Sequence, residues 1–416
     1  MNPQKRLKNS LLFIGLALFT MFQLQAKELA TASNLSFPQK TGTSKAALPA
    51  DTLRVSLLTC SPGEEIYELY GHTAIRVQES LTGNDVVFNY GVFNFNAPHF
   101  IYRYVRGETD YMLAVAPFSF FMEDYIKRGS AVYEQELNLP QSELRNLVDA
   151  LSKNCQPENR VYRYNFFFDN CATRPRLIIE AAAGGFVRYE DDLNIETFRQ
   201  AIYKCTENHL WARFGIDLCL GSEADREMTR LEKLFIPISL KDAFSRALIM
   251  PTKGDFHDLV RNTVTLNPQR PNSIDPTISP TTVAFLFLLV VCAVSIWGVM
   301  IDRVWWGIDV ILFGAAGCVG CVLAFLTLFS QHPAVGSNWN LCVFHPFHLL
   351  ILPLLIWNAR GRRKDYYHAA NLLVLFIFIA FMNVLPQKIN PAILPLALSL
   401  WVRSGCYTLT TFNRWK

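Results

Sequence analysis

The feature that most limits what this chain can fold into is a change of composition at Pro280. Beyond it come five apolar stretches, at about 281–301, 304–329, 341–358, 366–385 and 390–404. About 20 apolar residues in a helix cross a bilayer core, and the first four stretches satisfy this. The fifth, Pro391 to Val402, is shorter and contains Pro395. The chain is therefore expected to carry a five-span transmembrane domain over 281–404 and a cytoplasmic tail over 405–416.

Charge supplies the orientation. One set of loops holds Asp302-Arg303, the run Arg360-Gly361-Arg362-Arg363-Lys364 and the tail with Arg403, Arg414 and Lys416. In the other set, 330–340 has no Lys or Arg and 386–389 has only Lys388. Basic loops stay in the cytoplasm, which puts residues 27–280 outside. The N-terminus agrees. Lys5, Arg6 and Lys8 precede an apolar run from Leu11 to about Phe22, then Leu24-Gln25-Ala26. That is the pattern of a secretory signal. Leu24 is larger than is usual near a cleavage site, so an uncleaved N-terminal anchor is the alternative for 1–26.

The net charge of +4 averages unlike parts. Residues 27–280 hold 27 basic and 32 acidic side chains, whereas the C-terminal part is +6. A mildly acidic exported domain has no electrostatic footprint for nucleic acid. Residues 27–50 are expected to be a flexible segment and 51–264 a folded domain. Residues 265–280, with Pro268, Pro271, Pro276 and Pro280, are expected to be a Pro-rich linker.

Within 51–264 the pattern is mixed. Thr52 to Leu58, Thr73 to Val77 and Val86 to Tyr90 read as strands. Ser142 to Leu151 and Leu177 to Ala183 read as helices, the latter closed by Gly184-Gly185. The fold class is α+β.

Two segments carry chemistry. In the second, an aromatic run leads into Asp169-Asn170-Cys171, and Pro175 belongs in the first turn of a helix that follows. A thiol at a helix N-terminus lies in the positive end of the dipole, which favours the thiolate. Cys171 is the candidate nucleophile; a buried structural cysteine is the alternative. A Cys nucleophile needs an imidazole within reach. The exported part offers His72, His99, His209 and His257. His72 opens a strand after Gly71 and is the candidate base, against a core histidine. The next strand offers Asn89 to orient the ring, unless it only ends a strand. Asn170 and Asp169 either support an oxyanion or cap the helix. Arg76 either binds a phosphate or is a solvated strand charge.

The segments GHTAIRV (71–77) and FFFDNCATRP (166–175) resemble the permuted branch of the papain-like NlpC/P60 superfamily. That branch includes lecithin–retinol acyltransferase-like enzymes, in which a strand His precedes an Asn-Cys at a helix start. More closely, LLTCSPGEEIYELYGHTAIRV (57–77), FNYGVFNF (88–95), FFDNCATRPR (167–176) and FGIDLCLG (214–221) resemble the exported domain of Lnb-type lipoprotein N-acyltransferases. Five C-terminal spans match that architecture, and the resemblance covers most of 51–404. It implies a multi-pass protein of a bacterial inner membrane with a periplasmic catalytic domain. It also implies transfer of an acyl chain from a phospholipid, through a thioester on Cys171, to the α-amine of a diacylglyceryl-cysteine in a lipoprotein. His72 would be the general base, and no cofactor or metal is implied. A membrane-tethered periplasmic cysteine peptidase or amidase acting on cell-wall peptide is the competing enzyme class. A non-enzymatic scaffold is the third.

Five cysteines lie in the exported part: Cys60, Cys155, Cys171, Cys205 and Cys219. In an oxidising compartment an odd count leaves one thiol free. With Cys171 free, the other four could form two bridges in three possible pairings, Cys205 with Cys219 being the one favoured, and a local role for Cys60 near His72 is the alternative to its bridging. His332, His345 and His348 lie at the outer end of the spans and are expected to line a lipid or lipoprotein headgroup pocket.

Overall fold

The computed structural model describes residues 52–412 except 94–97, 191–193, 252–253, 271–277 and 362. The signal or anchor over 1–26 and the segment 27–50 lie outside the described residues. The chain divides into two compact units, Met1–Leu193 with Arg230–Pro271, and Asn194–Thr229 with Asn272–Lys416.

The first unit is built on an antiparallel sheet. Its strands are β1 (Leu53–Cys60), β2 (His72–Glu79), β3 (Asn84–Phe93), β4 (Asp110–Pro117), β5 (Val132–Leu137), β6 (Val161–Arg163) and, far along the chain, β10 (Val260–Asn267). Their order is β10-β5-β1-β2-β3-β4-β6. Short strands β7 (Gly185–Arg188), β8 (Leu248–Pro251) and β9 (His257–Asp258) form a second sheet. Helices α1 (Phe100–Val105), α2 (Phe118–Arg128), α3 (Gln141–Asn154), α4 (Thr173–Ala182) and α7 (Pro237–Phe244) complete the unit. Strand β1 is buried on both sides because alternate residues meet different layers. Val55 and Leu57 join Ile75, Phe88, Leu147, Ile179 and Phe244 in the main core. Leu58 and Cys60 join Ala74, Val87 and Phe121 under α2.

The strands and helices read from the sequence are present with small changes of boundary. β10 differs: it continues to Asn267, so the expected linker begins inside a sheet strand. Its residues pair with β5.

The second unit holds α8 (Pro280–Met300), α9 (Trp306–Phe329), α10 (Phe347–Arg360), α11 (Tyr366–Phe381) and α12 (Ile393–Phe412). Three segments are long and apolar enough to cross a membrane, Pro280–Met300, Trp306–Phe329 and Trp339–Arg360, while Tyr366–Phe381 is shorter. The last helix runs through residues expected as tail. It carries Arg403, whose guanidinium forms a two-point ion pair with Asp309 at 2.7 and 2.9 Å and bonds Ser295 at 3.1 Å. A buried charge among apolar helices is tolerated because it is paired.

This unit also recruits residues 194–229, which the sequence alone assigns to the exported domain. They form α5 (Phe198–Cys205) and α6 (Leu210–Cys219). Arg199 is fully buried; it bonds Asp217 at 2.8 Å and Asp225 at 2.9 and 3.0 Å. Asp217 accepts further bonds from Tyr203 at 2.8 Å and Asn390 at 2.7 Å. Asn338 and Gln387 donate to the carbonyls of Leu218 and Leu220. Asn338 and Gln387, in the two loops expected outside, thus hold a segment also expected outside.

Candidate active site

His72 is the first residue of β2, and its backbone pairs with Cys60 of β1. Asn89 stands on the neighbouring strand β3 and accepts from His72 Nε2 at 2.5 Å. With Nε2 donating, Nδ1 keeps its lone pair and is the ring nitrogen available to take a proton. Asn89 is followed by a shift of register between β3 and β4. Gly91 sits in that irregularity with φ +96°. A β-carbon at Gly91 would lie 3.6 Å from Cys171 Cβ and 3.9 Å from His72 Cε1. Gly91 is therefore where the two candidate groups converge, and its missing side chain leaves the space beside both. A glycine inside a strand pattern is the sequence signal for such a bulge, and Gly91 is a site residue not anticipated from the motifs around His72 and Cys171.

Cys171 precedes α4 by two residues. Asn170 fixes that entry. Its Oδ1 accepts from the N–H groups of Ala172 and Thr173 at 2.8 and 2.9 Å. Its Nδ2 donates to the carbonyls of Phe166 and Phe235, both at 2.8 Å. All of its hydrogen-bonding groups are engaged in holding the loop, so Asn170 is the helix cap rather than an oxyanion donor. Asp169 makes a two-point ion pair with Arg174 at 2.6 and 2.7 Å, which likewise removes it from that role. The groups left near the sulfur are backbone N–H groups, those of Thr73 and of Cys171 itself, both favouring the thiolate. Thr73 lies beyond the last β2–β3 pair, Ile75 with Phe88.

The electrostatics depart from the sequence expectation of an activated thiolate. Burial pushes the Cys171 thiol up to about 11, with the two N–H groups opposing. Burial also pushes His72 down to about 4, against the Asn89 bond and helped by the nearby Arg128 guanidinium. The largest cause in both is desolvation by burial, and Asn170 takes up two of the N–H groups at the helix start that a thiolate could otherwise use. Tyr111, Tyr162 and Tyr164 lie close enough that a Cys171 thiolate would oppose their ionisation. At neutral pH the resting pair is thiol and neutral imidazole. An imidazole in that state can accept a proton as the sulfur attacks.

The remaining candidates are placed elsewhere. Arg76 is engaged by Asp85 at 2.6 and 2.8 Å and Glu134 at 3.1 Å, and its guanidinium lies over Phe118. It is a structural cation, not a free phosphate binder. His345 and His348 stack at 3.8 Å. His348 is fully buried and bonded to the Val343 carbonyl and the Tyr367 hydroxyl, so it offers no face to a headgroup. The backbone N–H of His332 bonds Ser330 Oγ at 3.2 Å. No group of three metal-binding side chains occurs among the described residues. Cys205 and Cys219 are not bridged, and all ten cysteines are free thiols. Cys60 is fully buried under α2, beside Tyr125.

A family model described as the Lnb N-terminal periplasmic domain matches residues 40–203, and one described as the Lnb transmembrane domain matches 271–414. Together they span most of the chain. The chain belongs to the Lnb family. It is a membrane protein with a periplasmic domain, and this Lnb protein joins a sheet-rich α+β domain to apolar helices. No curated protein and no solved structure matches it. The His72–Asn89 pair and Cys171 fall within the residues matched to the periplasmic domain.

Proposed function

We propose that this Lnb protein is a lipoprotein N-acyltransferase of a bacterial inner membrane, with Cys171 as nucleophile, His72 as general base and Asn89 as the group that orients the ring. The observation that carries this reading is the convergence of Cys171 and His72 at Gly91, with Asn89 on the far ring nitrogen. Family membership supports the choice of reaction.

In the first half-reaction the Cys171 sulfur attacks the ester carbonyl of a phospholipid while Nδ1 of His72 takes the thiol proton. The C–O bond then breaks, and His72 returns the proton to the leaving lysophospholipid oxygen. In the second, the α-amine of a diacylglyceryl-cysteine attacks the thioester and transfers a proton through His72 to the departing sulfur. The N–H groups of Thr73 and Cys171 face the reacting sulfur and supply the polar environment for the tetrahedral oxygen. Membrane spans in the same chain keep enzyme, donor and acceptor at one surface, raising the effective concentration of both lipids.

The test is mass spectrometry of lipoprotein N-termini in a host depleted of its own N-acyltransferase. The wild-type protein is expected to add a third acyl chain, and Cys171→Ala and His72→Ala are not. Absence of the chain with wild-type protein, together with cleavage of cell-wall peptide, would favour the peptidase or amidase class instead.

A further inference from the structure

Helix α1, sequence FIYRYV, buries none of its residues. Ile101 is 71 % exposed, Tyr102 53 % and Tyr104 49 %. Short exposed helices on soluble surfaces are usually polar; this one presents an aliphatic and two aromatic side chains. Its charges are held in ion pairs at the rim, Arg103 with Asp110 and Arg106 with Glu108, so the surface is close to neutral.

From that surface a continuous series of rings runs inward. Tyr104 meets Phe100 with centroids 6.0 Å apart, and Phe100 meets Phe93 at 5.9 Å. Phe93 meets Tyr111 at 4.9 Å, and Tyr111 stacks on Tyr164 at 4.1 Å. Tyr111 and Tyr164 both lie within electrostatic range of Cys171. The side chains of this series are two phenylalanines and three tyrosines, whose ring faces suit hydrocarbon.

We infer that α1 and the rings Phe100, Phe93, Tyr111 and Tyr164 form the track along which the acyl chain of the donor phospholipid lies while its carbonyl is at Cys171. This deepens the proposed function and rests on it for the identity of the donor. The choice of donor over acceptor follows from the chemistry. The donor chain must be carried to the sulfur, because its carbonyl carbon becomes bonded there. The acceptor needs only to bring its amine to the thioester, and its own chains can remain in the leaflet. Exposed Ile101, Tyr102 and Tyr104 are side chains that favour the interfacial zone of a bilayer, where such a chain would leave the leaflet.

The test uses the full chain in phospholipid nanodiscs and a series of p-nitrophenyl esters from acetate to dodecanoate, read as acylation of Cys171. The wild-type rate constant at limiting substrate is expected to rise by roughly two- to fourfold per added methylene over part of the series. Phe100→Ala and the double variant Ile101→Asp with Tyr104→Asp should flatten this slope, lowering the dodecanoate-to-acetate ratio by at least about tenfold. Tyr104→Phe, which keeps the ring, should retain the wild-type slope, which separates lost hydrocarbon contact from any change at this position. A wild-type series with no dependence on chain length would overturn the track. So would an undiminished ratio in both α1 variants. If the ester series behaves as expected but phospholipid yields no thioester, the donor assignment fails and the hydrocarbon track stands.

Discussion

The protonation state of Cys171 can be tested directly by the pH dependence of its reaction with a small neutral disulfide. The rate is read by peptide mass spectrometry to separate Cys171 from the other cysteines. The thiol is pushed up to about 11 by burial. At pH 7 that leaves a thiolate fraction of about one in ten thousand, against roughly 3 % for an unperturbed cysteine. The deficit is about 300-fold. A more basic thiolate is intrinsically more nucleophilic, which recovers about tenfold across this gap. Cys171 should therefore react roughly thirtyfold more slowly than a free cysteine at pH 7. Its rate should climb about tenfold per pH unit from 6 to 10 with no plateau. His72→Gln should leave the slope unchanged, because desolvation and not an imidazolium sets the thiol. Fast labelling that is flat from pH 5 to 9, and lost in His72→Gln, would refute the reasoning and establish a thiolate–imidazolium pair.

Replacing Asn89 with Asp should move the acid limb of the pH–rate profile upward from about 4, because a carboxylate stabilises imidazolium; Asn89→Ala should lower turnover by about 10²- to 10⁴-fold. Gly91→Ala places a methyl between the reacting groups at φ +96°; turnover should fall at least about tenfold and stability by about 1–2 kcal/mol, read from the unfolding midpoint. His72 has its folded pKa depressed below the unfolded 6.5, so the unfolded chain binds the extra proton first. Its contribution is complete above about 6.5 and is lost as pH falls toward 4, and a thermal series should show a pH dependence that His72→Gln flattens. Arg199→Met strands the buried carboxylates of Asp217 and Asp225, a loss of roughly 3–5 kcal/mol, and should abolish accumulation of the intact protein in membranes. Wild-type abundance of that variant would show the network to be dispensable.

What the sequence made legible was mostly local. β1, β2 and β3 announce themselves by alternation, and α3 and α4 by helical spacing and end signals. His72 and Cys171 were found because each sits at the end of such an element, and Asn89 because adjacent strands bring neighbouring residues into reach. The rest depends on pairing across long separations. Arg76 looked free because Glu134, its second partner, lies 58 positions away. Asn170 looked like an oxyanion donor because one of its acceptors is the Phe235 carbonyl, 65 positions away. The thiol looked activated because the dipole argument is local, whereas the burial that desolvates the sulfur is set by the whole fold. The linker hid a strand because β10 finds its partner, β5, more than a hundred residues back.

The exchange of segments between the two units has a consequence for how the protein must be made. Residues 194–229 belong with the apolar helices, yet 230–271, which follow, return to the sheet-rich unit and supply its edge strand β10. The chain therefore passes between the units at three points, not one. During export the sheet cannot be closed until residue 267 has emerged. Arg199 meets its own carboxylates early but lacks Asn390, a partner of Asp217, until the last helices are threaded. Neither unit is a single continuous stretch of chain. A fragment ending at residue 264 would cut β10 and leave the Asp217 network without its anchor. To obtain the sheet-rich unit by itself the chain would have to be joined from residue 193 to residue 230 as well as ended after β10, so a truncation alone does not give it.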